Sequence, residues 1–95
     1  MVPEKVKIGW KTYDIKKKET VVCNGTECYG SVDLNNQVIN LRQDNSDKQA
    51  EATLLHEILH GVSDMYNLDF DEDTVTRLAD ALYTVANDNG VDIFN

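Results

Sequence analysis

Two histidines and a glutamate lie within one five-residue segment, His56-Glu57-Ile58-Leu59-His60, and their types and spacing suit metal chemistry. On a helix, residues four apart lie on one face, so the rings of His56 and His60 can share one metal ion. Glu57 lies about 100° further around the helix axis, where its carboxylate can reach a metal-bound water without being a ligand. This H-E-x-x-H pattern is typical of zinc sites in which the carboxylate acts as general base.

The alternative interpretation of the two histidines is structural, because a histidine at the border of an apolar helix face is often packed or capped. The chain has only two histidines, however, and both fall within this pattern. The neighbouring side chains of Leu54, Leu55 and Ile58 are apolar, so they would exclude water and strengthen the field of a bound ion. We therefore expect a zinc site (Zn2+ as cofactor) at this segment.

A catalytic zinc site needs a third protein ligand and an open position for water. The chain has no third histidine, so the third ligand is expected to be a carboxylate. Asp64 shares the face of the histidines but lies about 12 Å beyond His56, which suits a supporting role. Glu72 and Asp80 lie on one face of the next predicted helix, and either can complete the site. A simple antiparallel helical hairpin would bring Asp80 level with the histidines.

Two helices must position these residues, and hydrophobic periodicity predicts both. The first is predicted from about 47 to 66, and the second from near 71 to about 89. Acidic residues in the first turn of the second helix favour its start, and Gly90 is well placed to end it. The apolar stripe of the first helix comprises Leu55, Ile58, Leu59 and Val62, and that of the second Val75, Leu78, Ala79, Leu82, Val85 and Ala86.

The first half of the chain is predicted to form strands, over 6–15, 20–23, 29–33 and 38–41, with a tight turn at 35–37. The 95 residues are enough for one domain, which we place over 1–95. The predicted fold class is α+β, with a small, mostly antiparallel sheet of three or four strands packed against two helices.

The net charge of −8 is concentrated in residues 48–95, which carry ten acidic and two basic residues. Such a surface repels phosphate, so we expect no nucleic acid and no membrane among the partners. No apolar run approaches the roughly 20 residues of a membrane span, and residues 1–5 lack the apolar stretch of a signal peptide. We expect a cytoplasmic protein.

Cys23 and Cys28 are separated by four residues, a spacing found in half of a zinc knuckle. The chain has no second pair of cysteines to complete such a site, and no secretion signal favours a disulfide. We therefore expect two reduced thiols in or near a turn.

Several segments together resemble the small phage-encoded metallopeptidase-like proteins of the minimal zincin type, distant relatives of the ImmA/IrrE peptidases. The specific segment is Ala52-Thr53-Leu54-Leu55-His56-Glu57-Ile58-Leu59-His60-Gly61. Weaker matches are Val6-Lys7-Ile8-Gly9, Gly30-Ser31-Val32-Asp33, Gln37-Val38-Ile39-Asn40-Leu41, Asp71-Glu72-Asp73-Thr74-Val75, Arg77-Leu78-Ala79-Asp80-Ala81-Leu82-Tyr83 and Asn87-Asp88-Asn89.

The resemblance implies that His56 and His60 bind zinc and that Glu57 activates water. An acidic residue three positions before a valine recurs in these proteins, which points to Glu72 as third ligand. Thermolysin-like zincins place their ligand glutamate twenty residues after the second histidine, which corresponds to Asp80. A Glu-x-x-Ala-Asp/Asn pattern of related peptidases would place the ligand at Thr76, and threonine is a poor zinc ligand.

The function expected from these observations is that of a zinc-dependent hydrolase, namely a small metallopeptidase that acts on a peptide or protein substrate. If the protein is phage-encoded, we expect it in the cytoplasm of the host. The alternative is a catalytically inactive zincin-fold binding or regulatory protein of phage type, because so short a chain leaves little to build a cleft. In zincins an edge strand often binds the peptide, and strand 38–41 is the expected candidate. Tyr66 and Tyr83 are candidate oxyanion stabilisers, although core packing is the expected role of both.

Overall fold

The computed structural model describes residues 2–94, in which six strands precede two helices. The strands are β1 (Lys5–Ile8), β2 (Lys11–Lys18), β3 (Val22–Cys23), β4 (Thr26–Glu27), β5 (Gly30–Asp33) and β6 (Val38–Arg42). The helices are α1 (Asp47–Tyr66) and α2 (Glu72–Asp88). The predicted α+β class is confirmed, and the predicted bounds of both helices agree with the structure to within about one residue.

Local capping explains why the two helices begin where the periodicity predicted. The side chain of Ser46 accepts a hydrogen bond from the backbone N–H of Gln49 at the start of α1. At the start of α2, Asp71 does the same for the N–H of Thr74. Each cap satisfies a backbone donor that has no partner within its helix.

The predicted strand over 6–15 is two strands, because the chain turns sharply between β1 and β2. Gly9 adopts a left-handed conformation there, with φ +61, and glycine accepts such a backbone without strain. Trp10 lies at the tip and is 75% exposed. The apolar residues stand at even positions up to Trp10 and at odd positions from Tyr13, so this change of phase and Gly9 were the sequence signals of the turn that the prediction missed.

Four strands form the main sheet in the order β1-β2-β6-β5, and β3 pairs with β4 separately. The β5–β6 pair is antiparallel, as the predicted tight turn between these strands requires, and the β1–β2 pair is antiparallel as well. The β2–β6 pair is parallel, with Asp14 opposite Val38 and Lys18 opposite Arg42.

Strand β6 is therefore a central strand, and the prediction that 38–41 forms the peptide-binding edge is wrong. After β2 the chain makes the small β3–β4 hairpin, runs back as β5, and then enters the sheet between β2 and β5 as β6. The edge strand next to β6 is β5, and it contacts α1.

Helix α1 forms the middle layer of the molecule, between the sheet and α2. One face packs against the sheet in a cluster of buried residues, namely Ile8, Tyr13, Ile39, Leu41 and Leu54. The other face meets α2 in a second buried cluster, namely Leu55, Leu59, Val75 and Ala79. Side chains of α1 that lie between these two faces are left to line a cleft.

Cys23 and Cys28 form a disulfide, so the expectation of two reduced thiols is wrong for this structure. The β3–β4 hairpin places Cys23 opposite Thr26 and returns the chain at once, so the two Cα atoms lie 6.0 Å apart. That separation is typical of disulfides. Over residues 2–94, neither helix is both long and apolar enough to cross a membrane.

Candidate metal centre

His56 and His60 lie one turn apart on α1, and their ring centroids are 5.0 Å from each other. Both side chains are partly buried, with 22% and 25% of their surfaces exposed. Their Nε2 atoms face the same carboxylate, that of Glu72. The predicted pairing of the two imidazoles on one helix face is confirmed in geometry.

Glu72 bridges the two histidines. Its Oε1 lies 2.6 Å from Nε2 of His56, and its Oε2 lies 2.9 Å from Nε2 of His60. Glu72 is the first residue of α2, and 67% of its side chain is exposed. The carboxylate therefore reaches the histidines from the solvent side, at the mouth of the cleft.

The connection between the helices explains why Glu72 lies next to the histidines. Asn67 ends α1 in a left-handed conformation with φ 54, and the chain then folds back along the helix. The backbone N–H of Leu68 donates to the carbonyl of Ser63 at 3.0 Å, and that of Phe70 donates to the Ser63 hydroxyl at 2.9 Å. The five-residue connection can thus retrace the roughly 9 Å of helix that follows His60, and α2 begins beside the site.

Asp80, which a simple hairpin would bring level with the histidines, is not the carboxylate that contacts both imidazoles. It lines a cavity that also includes His56 and Glu57. Across residues 2–94, however, the group whose ligand atoms all lie within 4.8 Å of one another comprises His56, Glu57 and His60. These three residues could hold a metal ion, and Glu72 is the carboxylate that contacts both imidazoles.

Glu57 is buried beside the histidines, with 7% of its surface exposed. Burial, and secondly the negative charge of Glu72, raise the pKa of the Glu57 carboxyl from 4.5 to about 7. A carboxyl with such a pKa can both accept and donate a proton near neutral pH, as a general base must. A nearby cation would favour its charged form.

The distances around Glu72 are compatible with zinc. Bonds of about 2.0–2.1 Å to nitrogen and oxygen at tetrahedral angles place neighbouring ligand atoms about 3.3 Å apart. The Glu72 oxygens lie 2.6 and 2.9 Å from the two ring nitrogens. Reaching that spacing needs a shift of well under 1 Å at each of these two contacts, and imidazole nitrogen and carboxylate oxygen are donors that zinc accepts, so the residues present fit the ion.

The cleft beside these residues has a volume of about 480 Å³. Its opposite wall is formed by the edge strand β5 and the disulfide hairpin. The wall residues are Cys23, Asn24, Cys28, Gly30, Ser31, Val32 and Leu34, facing His56, Glu57, His60 and Glu72. The cleft therefore separates the candidate metal ligands from an open strand edge.

Gly30 allows β5 to approach α1 closely. A Cβ atom at this position would lie 2.6 Å from Cγ2 of Thr53 and 2.9 Å from the backbone oxygen of Asn40. Neither Gly30 nor the disulfide hairpin was predicted to be part of the site. An isolated glycine at the start of a strand was the available signal, because it often marks such an approach.

Three further residues considered from the sequence lie elsewhere. Asp64 pairs with Lys11 at 3.6 Å, at the far end of α1. Tyr66 is 59% exposed, so its predicted core packing is wrong. Tyr83 packs in the second cluster, as expected, and its hydroxyl donates to Glu51 at 2.8 Å.

Comparisons of the chain with protein-family models, with curated proteins and with solved structures return no match. The class of protein is therefore defined by its own features, namely an α+β domain with a His-Glu-His group able to hold a metal ion.

Proposed function

We propose that the protein is a zinc-dependent hydrolase that cleaves peptide bonds. The observation that carries the proposal is the convergence of two imidazoles and the Glu72 carboxylate beside the buried Glu57, on the wall of a cleft. The resemblance to phage-encoded minimal zincins belongs to the same proposal. His56, His60 and Glu72 are the residues that would hold zinc.

In this mechanism zinc, when bound, supplies Lewis acidity toward water and the substrate carbonyl. Glu57 accepts a proton from the attacking water and passes it to the leaving amine. Its burial beside the ligands places the carboxyl where solvent competes least for that proton. In the metal-free protein the pKa of Glu57 is raised to about 7, and a bound cation would favour the charged carboxylate that accepts the proton.

Strand β5 is the proposed binding edge for the peptide. The N–H of Arg42 donates to the carbonyl of Tyr29, so Tyr29 faces β6. Backbone groups alternate along an antiparallel strand, and Val32 must then direct its N–H and C=O away from β6 toward the cleft side. An extended peptide that pairs with this edge would pass in front of His56 and His60.

A second candidate is a binding or regulatory protein that kept this fold without catalysis. The direct contacts of Glu72 with both histidines favour it, because they hold α1 and α2 together with no ion. In that case zinc would stabilise the protein, or be dispensable, and no peptide bond would be cleaved.

Zinc binding and hydrolysis of a peptide library, measured on the same preparations, test the proposal. We expect one zinc per chain, lost in His56→Ala. Glu57→Gln is expected to retain zinc and lose hydrolysis, whereas Glu19→Gln, which removes an exposed carboxylate, should retain both. A wild-type protein that holds zinc and cleaves nothing would leave the binding protein as the function, and a protein without zinc affinity would exclude the hydrolase.

A further inference from the structure

A second cavity, of about 210 Å³, adjoins the proposed catalytic cleft on the other side of His56. The two spaces share Gly30, His56 and Glu57 among their lining residues. A peptide residue positioned over His56 can therefore place its side chain in this cavity while its backbone stays in the cleft. The cavity is completed by Tyr29, Gln49, Ala52, Thr53 and Asp80.

Asp80 gives this cavity a negative charge. Within residues 2–94, its carboxylate has no ion-pair or hydrogen-bond partner. Other carboxylates of the region are engaged, since Glu72 contacts the histidines and Asp73 pairs with Arg77 at 3.7 Å. The two negative charges of Glu57 and Glu72 would balance the charge of a bound divalent ion. Asp80 then carries a negative charge that no cation in the described part of the chain balances, next to the position proposed for the peptide bond that is cleaved.

The remaining walls suit a long cationic side chain. Ala52 and the ring of Tyr29 offer apolar surface for a methylene stem, and such stems pack well while their charged ends stay hydrated. The amide nitrogen of Gln49 donates to the Thr53 hydroxyl at 2.8 Å, which leaves the Gln49 carbonyl oxygen as an acceptor. Two neighbouring cations are already paired: Arg42, which lies over the Tyr29 ring, with Asp44 at 2.9 Å, and Arg77, one turn before Asp80 on α2, with Asp73 at 3.7 Å.

We propose that this cavity is a specificity subsite and that Asp80 selects peptides with an arginine or lysine next to the bond that is cleaved. The inference rests on the proposed function, because it names the substrate class of the same cleft. It also gives a role to a carboxylate that the metal group does not include.

Peptide binding by the zinc-loaded Glu57→Gln protein tests the subsite without hydrolysis. The probes are the amides Ac-Ala-Arg-Ala-NH2 and Ac-Ala-norleucine-Ala-NH2, titrated at low salt into 15N-labelled protein. We expect the arginine peptide to bind about fivefold more tightly, as one partly exposed ion pair allows. The resonances of Ala52 and Thr53 should shift with it.

Two further variants in the same background isolate the charge. Asp80→Asn should abolish the preference for the arginine peptide. Asp88→Asn removes the same charge from the exposed end of α2, outside both cavities, and should retain the preference. Equal affinity for the two peptides, or a preference that survives Asp80→Asn, would overturn the subsite.

Hydrolysis by the wild type separates this inference from the function on which it rests. Cleavage of arginine-containing and norleucine-containing peptides with equal kcat/KM would overturn the subsite and leave the hydrolase intact. Preferential binding of the arginine peptide with no cleavage by the wild type would overturn the hydrolase and leave a basic-peptide site that depends on Asp80.

Discussion

Replacement of Glu57 by glutamine should stabilise the metal-free protein at neutral and alkaline pH. Glu57 is buried, and both burial and the charge of Glu72 raise its pKa from 4.5 to about 7. The folded protein therefore binds the Glu57 proton between these two pH values, whereas the unfolded chain has released it. The free energy of unfolding must then fall as pH rises through this window. Glutamine keeps the size of the side chain and removes the titration.

The size of the effect follows from the two pKa values. At 1.36 kcal/mol per pH unit, the interval from 4.5 to about 7 corresponds to a loss on the order of 3 kcal/mol, complete above pH 7. We expect Glu57→Gln and the wild type to have similar free energies of unfolding at pH 4.5. At pH 8 the variant should be more stable by that amount.

Urea unfolding with a chelator present, followed by far-ultraviolet circular dichroism, measures the difference. The single tryptophan, Trp10, is a poor fluorescence probe because it is 75% exposed in the folded state. Titrations common to both proteins cancel in the difference, and Glu19→Gln controls for the loss of one exposed acidic charge. A stability difference that is the same at pH 4.5 and pH 8 would refute the reasoning.

Three further predictions concern the proposed zinc ligand Glu72, the cleft-wall residue Gly30 and the disulfide. Glu72→Ala should weaken zinc binding at least about tenfold, whereas Asp80→Ala should change it less than about twofold, as isothermal titration would show. Gly30→Ala should lower the free energy of unfolding by about 1–3 kcal/mol in urea, because its methyl would meet Cγ2 of a threonine at 2.6 Å. Replacing Cys23 and Cys28 by serine should lower the melting temperature, since closing so short a loop is worth about 2 kcal/mol; an unchanged midpoint would contradict this.

The helices were predictable because local signals and packing agree. The stripe of Leu55 and Leu59 faces α2 in the structure, and the caps Ser46 and Asp71 begin the helices where the period changes. His56 and His60 follow from the same periodicity, because a spacing of four on a helix determines that two side chains meet. The imidazole pair and Glu57 were therefore accessible from the sequence alone.

Features that depend on where the chain reverses its direction could not be predicted from local sequence patterns. The position of Glu72 depends on hydrogen bonds from the connection to Ser63, and periodicity alone favoured Asp80. The order of strands depends on β6 entering beside β2, a non-local pairing that no local pattern specifies. The disulfide depends on the geometry of the β3–β4 hairpin, which the spacing of Cys23 and Cys28 does not specify.

The route of the chain between β2 and β6 has a consequence for how this domain could diversify. The parallel pair of strands and α1 carry the core and the histidines, while residues 22–28 form a separate hairpin that lines the cleft. This hairpin lies in the chain between β2 and β5, and each of these strands pairs with β6 rather than with the hairpin. We expect loops of other lengths to be accepted there, so that the outer wall of the cleft can change while the two histidines and Glu57 keep their places on α1.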